Sequence, residues 1–447
     1  MTISDILISV ANFVCGYPLF FVLIGGGLFL FFYSGFVSIK KFPTALKVLA
    51  SRGGSSGQGQ ISPFQALMSE ISSTVGMGNI AGVAIAVTMG GPGSIFWMWV
   101  SAIVGMSTKF FEGTLAIMFK GKDSAGEVQG GPMYVMMGGL GPKWKPMAYF
   151  FTVSALLGTL CVMQANQLVE AVTSVITTPM GIENTLFLRF LMGLAISVIV
   201  GSVIIGGIRR IANIASKIVP LMVLLYFILV LVICIIYYKE IPGVFALIFH
   251  DAFSLRAGFG GLAATALIGA RRAAMVNEAG VGTSSMMHGA SKNNEPVKEG
   301  LIAMIGPSID SGLICTLTSI PILIAGNYVD AQGIKGVFIA LGAFGQLLPG
   351  YGRGLLMVIL FFFAFSTMFS YSYYGQKCSN FLFGASNTKY YNYFYLSMLI
   401  VAAMIPLGAA VSLMDLAYAF MVFPNMLTLL ILAPKVKARM KLYFHKG

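Results

Sequence analysis

The sequence predicts an all-α polytopic membrane protein with eleven transmembrane helices, one peripheral and ten dividing five and five, and three observations predict it. Of 447 residues, 57% are hydrophobic and 10% charged, against roughly 25% charged in an average soluble domain, and mean hydropathy is +0.87. The apolar residues run in continuous stretches of about 20 instead of alternating, which suits helices in lipid and not strands. The basic residues gather in alternate connections. A soluble protein cannot hide that much apolar surface, so a water-soluble enzyme, a disordered chain and a disulfide scaffold are excluded. A single transmembrane domain is expected over residues 1–447.

Broken at polar and Pro/Gly punctuation, the runs fall at 17–38, 63–88, 93–118, 146–176, 186–206, 211–238, 258–285, 298–324, 354–383, 390–411 and 413–434. No Lys or Arg precedes Lys40, so the first run lacks the basic flank of a cleaved signal peptide and is expected to stay as a span. With the N-terminus outside, the groups Lys40–Arg52, Lys109–Lys145, Arg209–Lys217, Arg271–Lys298, Lys377–Lys389 and Lys435–Lys446 face the cytoplasm, 23 of the 28 basic residues. Only Arg189, Lys239, Arg256, Lys335 and Arg353 fall outside. The bias predicts a multi-pass protein of the cytoplasmic membrane with a cytoplasmic C-terminus. It also absorbs the net charge of +13, and no aromatic-rich basic run suggests nucleic acid. Five cysteines without a CxxC pair, apart from the three histidines, indicate neither a disulfide framework nor a transition metal.

An odd span count leaves 17–38 as a peripheral span, with a first repeat at 63–238 and a second at 258–434 that start in opposite directions. Inverted repeats of this kind bind their cargo near the midplane, where broken helices expose carbonyls and N–H groups. Each half opens on a span with a polar, Gly-rich interruption: Ser72-Ser73-Thr74-Val75-Gly76-Met77-Gly78-Asn79 and Asn277-Glu278-Ala279-Gly280-Val281-Gly282. The first offers oxygens suited to a hard cation, and close packing through small residues explains the same spacing. The second is either a break or a polar inner end, because Arg271 and Arg272 just before it suggest the cytoplasmic face; a gate or vestibule role for Asn277 and Glu278 is preferred over ligation. Gln164 and Asn166 add polar groups at depth, as do Ser366 and Thr367, whose hydroxyls either ligate a cation or bond back to their own helix. Of the intramembrane acids, Glu112, Glu170 and Asp415 read as interfacial, Glu112 near the inner face and the other two near the outer, while Glu70 and Asp310 are left open.

These residues resemble the alanine or glycine:cation symporters. Gly90-Gly91-Pro92-Gly93-Ser94-Ile95-Phe96-Trp97-Met98-Trp99 is similar to that family's Gly-Gly-x-Gly-x-x-Phe-Trp-Met-Trp signature, with Ser94 where Ala or Gly is usual. Val75 to Val83, Gly130-Gly131-Pro132-Met133-Tyr134, Gln164-Ala165-Asn166, Asn277 to Gly280 and Phe365-Ser366-Thr367 recur in the family in this order. The resemblance implies eleven spans, ten of them in a leucine-transporter-like inverted repeat with broken helices. It also implies Na⁺ as coupling ion and no other cofactor, with a small neutral amino acid as cargo. By the same resemblance, sodium is held by the carbonyls of Ser72 and Val75 and the hydroxyls of Ser366 and Thr367, with Asn79 matching a second-sodium ligand of some relatives. The substrate lies against Thr74, Gly76, Met77 and Gly78, with Gln164 and Asn166 as polar contacts. Alanine and glycine come from the resemblance alone, since Met77 and the run Val281 to Gly289 depart from it. Competing readings are a proton-coupled transporter of the same fold using Glu70 or Asp310, and a channel. A membrane enzyme is the weakest, for want of a nucleophile–base pair at depth.

Overall fold

The computed structural model describes residues 10, 13–51, 57–254, 258–329, 336–405 and 407–445, and of 258–263, 407–411, 413 and 414 the backbone alone. Arg52, Arg256, Lys335 and Lys446, counted above for orientation, lie outside the described residues. Helices account for nearly all of it: α1 (Tyr17–Tyr33), α2 (Phe42–Ala50), α3 (Pro63–Thr74), α4 (Met77–Gly90), α5 (Ser94–Met118), α6 (Lys145–Gly158), α7 (Val162–Val172), α8 (Leu186–Ile204) and α9 (Gly207–Ile236). They continue as α10 (Ile241–Ala252), α11 (Gly258–Asn277), α12 (Thr283–His288), α13 (Pro296–Ala303), α14 (Cys315–Ala325), α15 (Gly336–Leu347), α16 (Gly352–Phe383), α17 (Thr388–Met404) and α18 (Leu407–His445). A two-stranded hairpin, β1 (Gly121–Lys122) with β2 (Val128–Gln129), follows α5.

Among the described residues seven helical stretches are long and apolar enough to cross a membrane, and the bent pair α3–α4 makes eight. These eight coincide with eight of the eleven apolar runs; the runs at 17–38, 258–285 and 390–411 hold the shorter or more polar helices α1, α11 with α12, and α17. Several helices start where local chemistry satisfies their free N–H groups. Ser62 Oγ accepts from Gln65 N (3.2 Å), Gln65 Oε1 accepts from Ser62 N (3.0 Å), and Pro63 fills the first helical position. Four runs are interrupted: α3/α4 at Val75 and Gly76, α6/α7 at Cys161 (φ 53°), α11/α12 at 278–282, and α13/α14 by the π-helical turn Ser308–Ile314 that follows Gly306-Pro307.

Helix α5 is buried over most of its length and sits at the centre. Its glycines let neighbouring backbones come close, the membrane way of packing helices. A Cβ on Gly113 would stand 2.7 Å from Ala303 Cβ of α13, and one on Gly105 3.2 Å from the Asn277 amide. The most apolar helices, α8 and α9, turn an exposed face outward instead.

Helices α10 and α15 were not legible as elements, and α10 explains the tryptophan-rich signature. Gly91 takes φ 74°, where a Cβ would meet the Asp251 carboxylate. Asp251 Oδ2 accepts from Gly93 N (2.8 Å), and Trp97 Nε1 donates to Ala252 O (3.2 Å). The signature is thus a turn shaped to receive the end of α10. The last helix also runs further than its apolar run, to His445, because lysine and arginine are good helix formers and face water there. Arg439 pairs with Glu295 at 2.8 Å, and Lys437 lies over the Tyr33 ring of α1 at 4.2 Å.

Candidate functional site

The first break is built from the residues the sequence singled out. Val75 (φ −82°, ψ 96°) and Gly76 (φ −150°, ψ −158°) are extended, so the chain leaves α3 and restarts as α4 bent by 47°. Asn79 Oδ1 accepts from Gly76 N at 2.9 Å and caps the new helix, while its Nδ2 donates to Asp310 O (3.4 Å). Helix α16 packs directly on this break. Ser72 Oγ donates to Ser366 O (2.8 Å), Ser366 Oγ lies 3.4 Å from Ser72 O, and a Cβ on Gly76 would stand 2.5 Å from Thr367 Oγ1. Ser366 and Thr367 also donate to Phe363 O, at 3.1 and 2.9 Å. Each hydroxyl therefore spends its proton on a carbonyl and keeps lone pairs for a further partner. Ser72, Gly76, Ser366 and Thr367 come together at the break, with Val75 buried next to Gly76 in the chain.

On the α4 side of the break lies a cavity with about 100 Å³ open to the centres of water molecules, room for several waters or a ligand of a few heavy atoms. Thr74, Gly76, Gly78, Gln164 and Glu278 stand on its wall. Gln164 Oε1 and its neighbour Gln167 Oε1 are buried there without a hydrogen-bond partner in the structure, which is what a polar ligand would supply. Two expected contacts point elsewhere. Met77 is fully buried off the wall, and Asn166 Nδ2 donates to Ala402 O (3.0 Å) and Ile405 O (2.6 Å), holding the end of α17.

The wall also holds residues that sequence reasoning missed or misplaced. Arg272 and Asp415, expected at opposite faces, line this one cavity together with Tyr371 and Tyr418. Arg272 is placed so because α11 continues unbroken to Asn277, which carries this arginine alongside the break of α3/α4. An arginine pair inside an apolar run was the available signal.

The second break is held differently. Glu278, Gly280 and Gly282 all take positive φ (54°, 93° and 100°), and most polar groups released by the turn find protein partners, whereas Asn277 Nδ2 and Ser284 Oγ have none in the structure. Glu278 accepts from the Tyr371 hydroxyl, which also meets Tyr418, and from Thr283 Oγ1 at 2.6 Å. Glu112 Oε1 accepts from Gly280 N (3.2 Å) and Asn425 Nδ2 (2.7 Å), and Asn425 Nδ2 also reaches Gly280 O (2.8 Å). Asn277 Oδ1 accepts from Ala279 N at 3.0 Å. Glu112 is thus a brace for this break and not a partner of Lys109, which bonds Glu70 at 2.5 Å. Glu170 pairs with Arg189 at 2.7 Å. Asp310 is buried on the π-helical turn with neither carboxylate oxygen hydrogen-bonded in the structure. No group of three or more His, Cys, Asp or Glu suited to a metal occurs among the described residues.

Comparison with known proteins bears on this arrangement. The family described as the sodium:alanine symporter family matches residues 1–447. The sodium/alanine symporter AgcS of Methanococcus maripaludis is 34% identical over 452 residues, covering 99% of this chain and 98% of that protein. A putative sodium/proton-dependent alanine carrier protein, YrbD of Bacillus subtilis, is 33% identical over 98% of this chain and 92% of its own length. Among solved structures, MhsT in complex with L-phenylalanine superimposes with a TM-score of 0.60 at 12% identity, covering 84% of this chain and 89% of that one. That likeness shows a leucine-transporter-like fold.

Proposed function

The chain belongs to the sodium:alanine symporter family, and we propose on that premise that it is a sodium-coupled secondary symporter importing a small neutral amino acid, alanine or glycine, by alternating access. It is a transporter and not an enzyme. The observation that carries the proposal is the packing of Ser366 and Thr367 onto the break at Val75 and Gly76, beside a cavity whose glutamine oxygens lack partners. The carbonyls of Ser72 and Val75 with the two hydroxyls hold the sodium ion; with the Gly76 N–H spent on Asn79, the N–H groups of Met77 and Gly78 face the substrate carboxylate, and Gln164 and Gln167 its polar atoms. Asn79, which already caps Gly76, gives the break its shape. One sodium ion entering an inside-negative cell gains about 2.3 kcal/mol per 100 mV, roughly 1.7 decades of concentration ratio.

The same reading carries eleven spans in a five-plus-five inverted repeat, an outside N-terminus and a cytoplasmic C-terminus. It does not lean on Arg271 and Arg272, because the other inner clusters still outnumber the outer basic residues. A C-terminal fluorescent fusion that lights up only outside the cytoplasm overturns the orientation. For transport, purified protein in liposomes is expected to take up labelled alanine or glycine faster under an inward sodium gradient. No gradient-dependent uptake of any small amino acid overturns the proposal, and uptake driven by a pH gradient in sodium-free buffer replaces sodium with the proton.

A further inference from the structure

On the α3 side of the first break, away from the cavity, four ionisable side chains are shut in together. Glu70, Lys109, His288 and Glu299 are each 1% exposed or less. Glu70 Oε1 stands 2.5 Å from Lys109 Nζ and Glu70 Oε2 2.7 Å from His288 Nε2. The other ring nitrogen, His288 Nδ1, is 2.6 Å from Glu299 Oε1. Glu299 Oε2 accepts from Ser291 Oγ and Asn293 Nδ2, both at 3.0 Å. The four groups come from four elements: α3, α5, the end of α12 and α13.

An imidazole with a carboxylate oxygen on each nitrogen satisfies both only when both nitrogens carry hydrogen, and that is the cation. Two carboxylates, an ammonium and an imidazolium also sum to zero, whereas loss of the ring proton leaves a buried net charge and a lone pair facing an oxygen. Glu70 belongs to the first broken helix and His288 ends the second, so this one proton joins them. The backbone closes the same place. Gly57 N donates to Lys292 O and Lys292 N to Ile61 O, both at 2.8 Å, while Lys120 Nζ donates to the carbonyls of Gln58 (2.8 Å), Ser291 (2.6 Å) and Asn293 (3.2 Å).

We infer that His288 is a proton-binding site whose occupancy latches the two broken helices together and shuts the inner half of the pathway. This rests on the transporter reading above. The charged groups that face the latch are Glu70 from α3, Lys109 from α5, Glu299 from α13, Asp310 from the π-helical turn after α13, Glu278 from the second break, and Lys120 behind Glu299. Glu112 is taken up at the second break, and α16 turns its Lys377 onto the Tyr373 ring at 4.7 Å. Loss of the ring proton leaves a carboxylate facing a lone pair, so the latch is complete at low pH and lost as pH rises.

Two measurements test this. The chain has three histidines, so full-length H250Q/H445Q protein labelled with ¹⁵N-histidine in nanodiscs leaves His288 as the only signal. Both ring nitrogens are expected to be protonated at about pH 7.5, where an ordinary histidine is mostly neutral; a neutral ring there overturns the inference whatever the protein transports. In liposomes with outside pH and sodium fixed, raising the internal pH from about 7 to about 9.5 is expected to speed alanine counterflow fivefold or more, within the usual range of coupling between sites. H288Q should be fast and flat across that range. E299Q, which removes one charge facing the ring, should move the rise to lower pH. A wild-type profile unchanged in both variants overturns the latch, and absence of any amino-acid flux at every pH overturns the transporter reading and leaves the nitrogen titration to decide the proton site.

Discussion

The two broken helices solve the same problem in opposite ways. At the first break the chain opens with two extended residues, no charged side chain, and hydroxyls of α16 packed against it. At the second, three residues of positive φ are braced by Glu112, Asn425, Tyr371 and Thr283, so most of its polar groups are engaged within the protein. The first break keeps hydroxyl and carbonyl lone pairs to offer; the second spends most of its groups on the fold, with Asn277 Nδ2, Ser284 Oγ and Glu112 Oε2 left over. The difference teaches that an interruption in a membrane helix marks a candidate cation site where hydroxyls that have already donated gather with their lone pairs unspent.

Substitutions can break or sharpen that contrast. The largest effect is expected at the first break. G76A would press a Cβ to 2.5 Å from Thr367 Oγ1, and sodium-driven uptake should fall about a hundredfold, roughly 2.7 kcal/mol, with little change in melting temperature. Next is G282A, where φ is 100° and a Cβ would stand 2.5 Å from Pro132 Cγ. It should cost about 2 kcal/mol of stability, read as a lower melting temperature, with an unchanged sodium requirement in the protein that remains folded. T367A should raise the sodium concentration for half-maximal uptake about tenfold, roughly 1.4 kcal/mol; an unchanged requirement would remove Thr367 from the site. The smallest is N425A, which strips hydrogen bonds from Glu112 and Gly280 and should cost about 1 kcal/mol by thermal melting without touching sodium dependence. If G282A and N425A shift sodium dependence as T367A does, the contrast fails.

Much of this was legible in the chain. Glycines flanking Met77, with hydroxyls before and an amide after, announced the break, because local composition sets it; that Ser366 and Thr367 belong beside it came only from the family resemblance. Depth was harder to read. Whether Arg272 meets water or a cavity depends on how far α11 runs before unwinding, and that is decided by the Glu112 and Asn425 braces from elsewhere in the chain. His288 was missed for a similar reason: its partner Glu70 lies 218 residues away, and no periodicity links them. Asn166 looked like a ligand because it is polar at depth, yet the end of α17 had carbonyls to satisfy. A polar side chain in lipid names a need without naming who has it.

Helix α18 reaches from Asp415 on the cavity wall, past Asn425 at the second break, to Arg439 clasping Glu295. It carries prolines at 424 and 434, where the missing N–H and the ring bend a helix. Each proline removes a rung of the hydrogen-bond ladder, which divides the helix into an upper arm carrying Asp415 and a handle carrying Arg439. A spin label on the handle would report the grip on Glu295 alone, and following the cavity through a whole cycle takes a second label above Pro424.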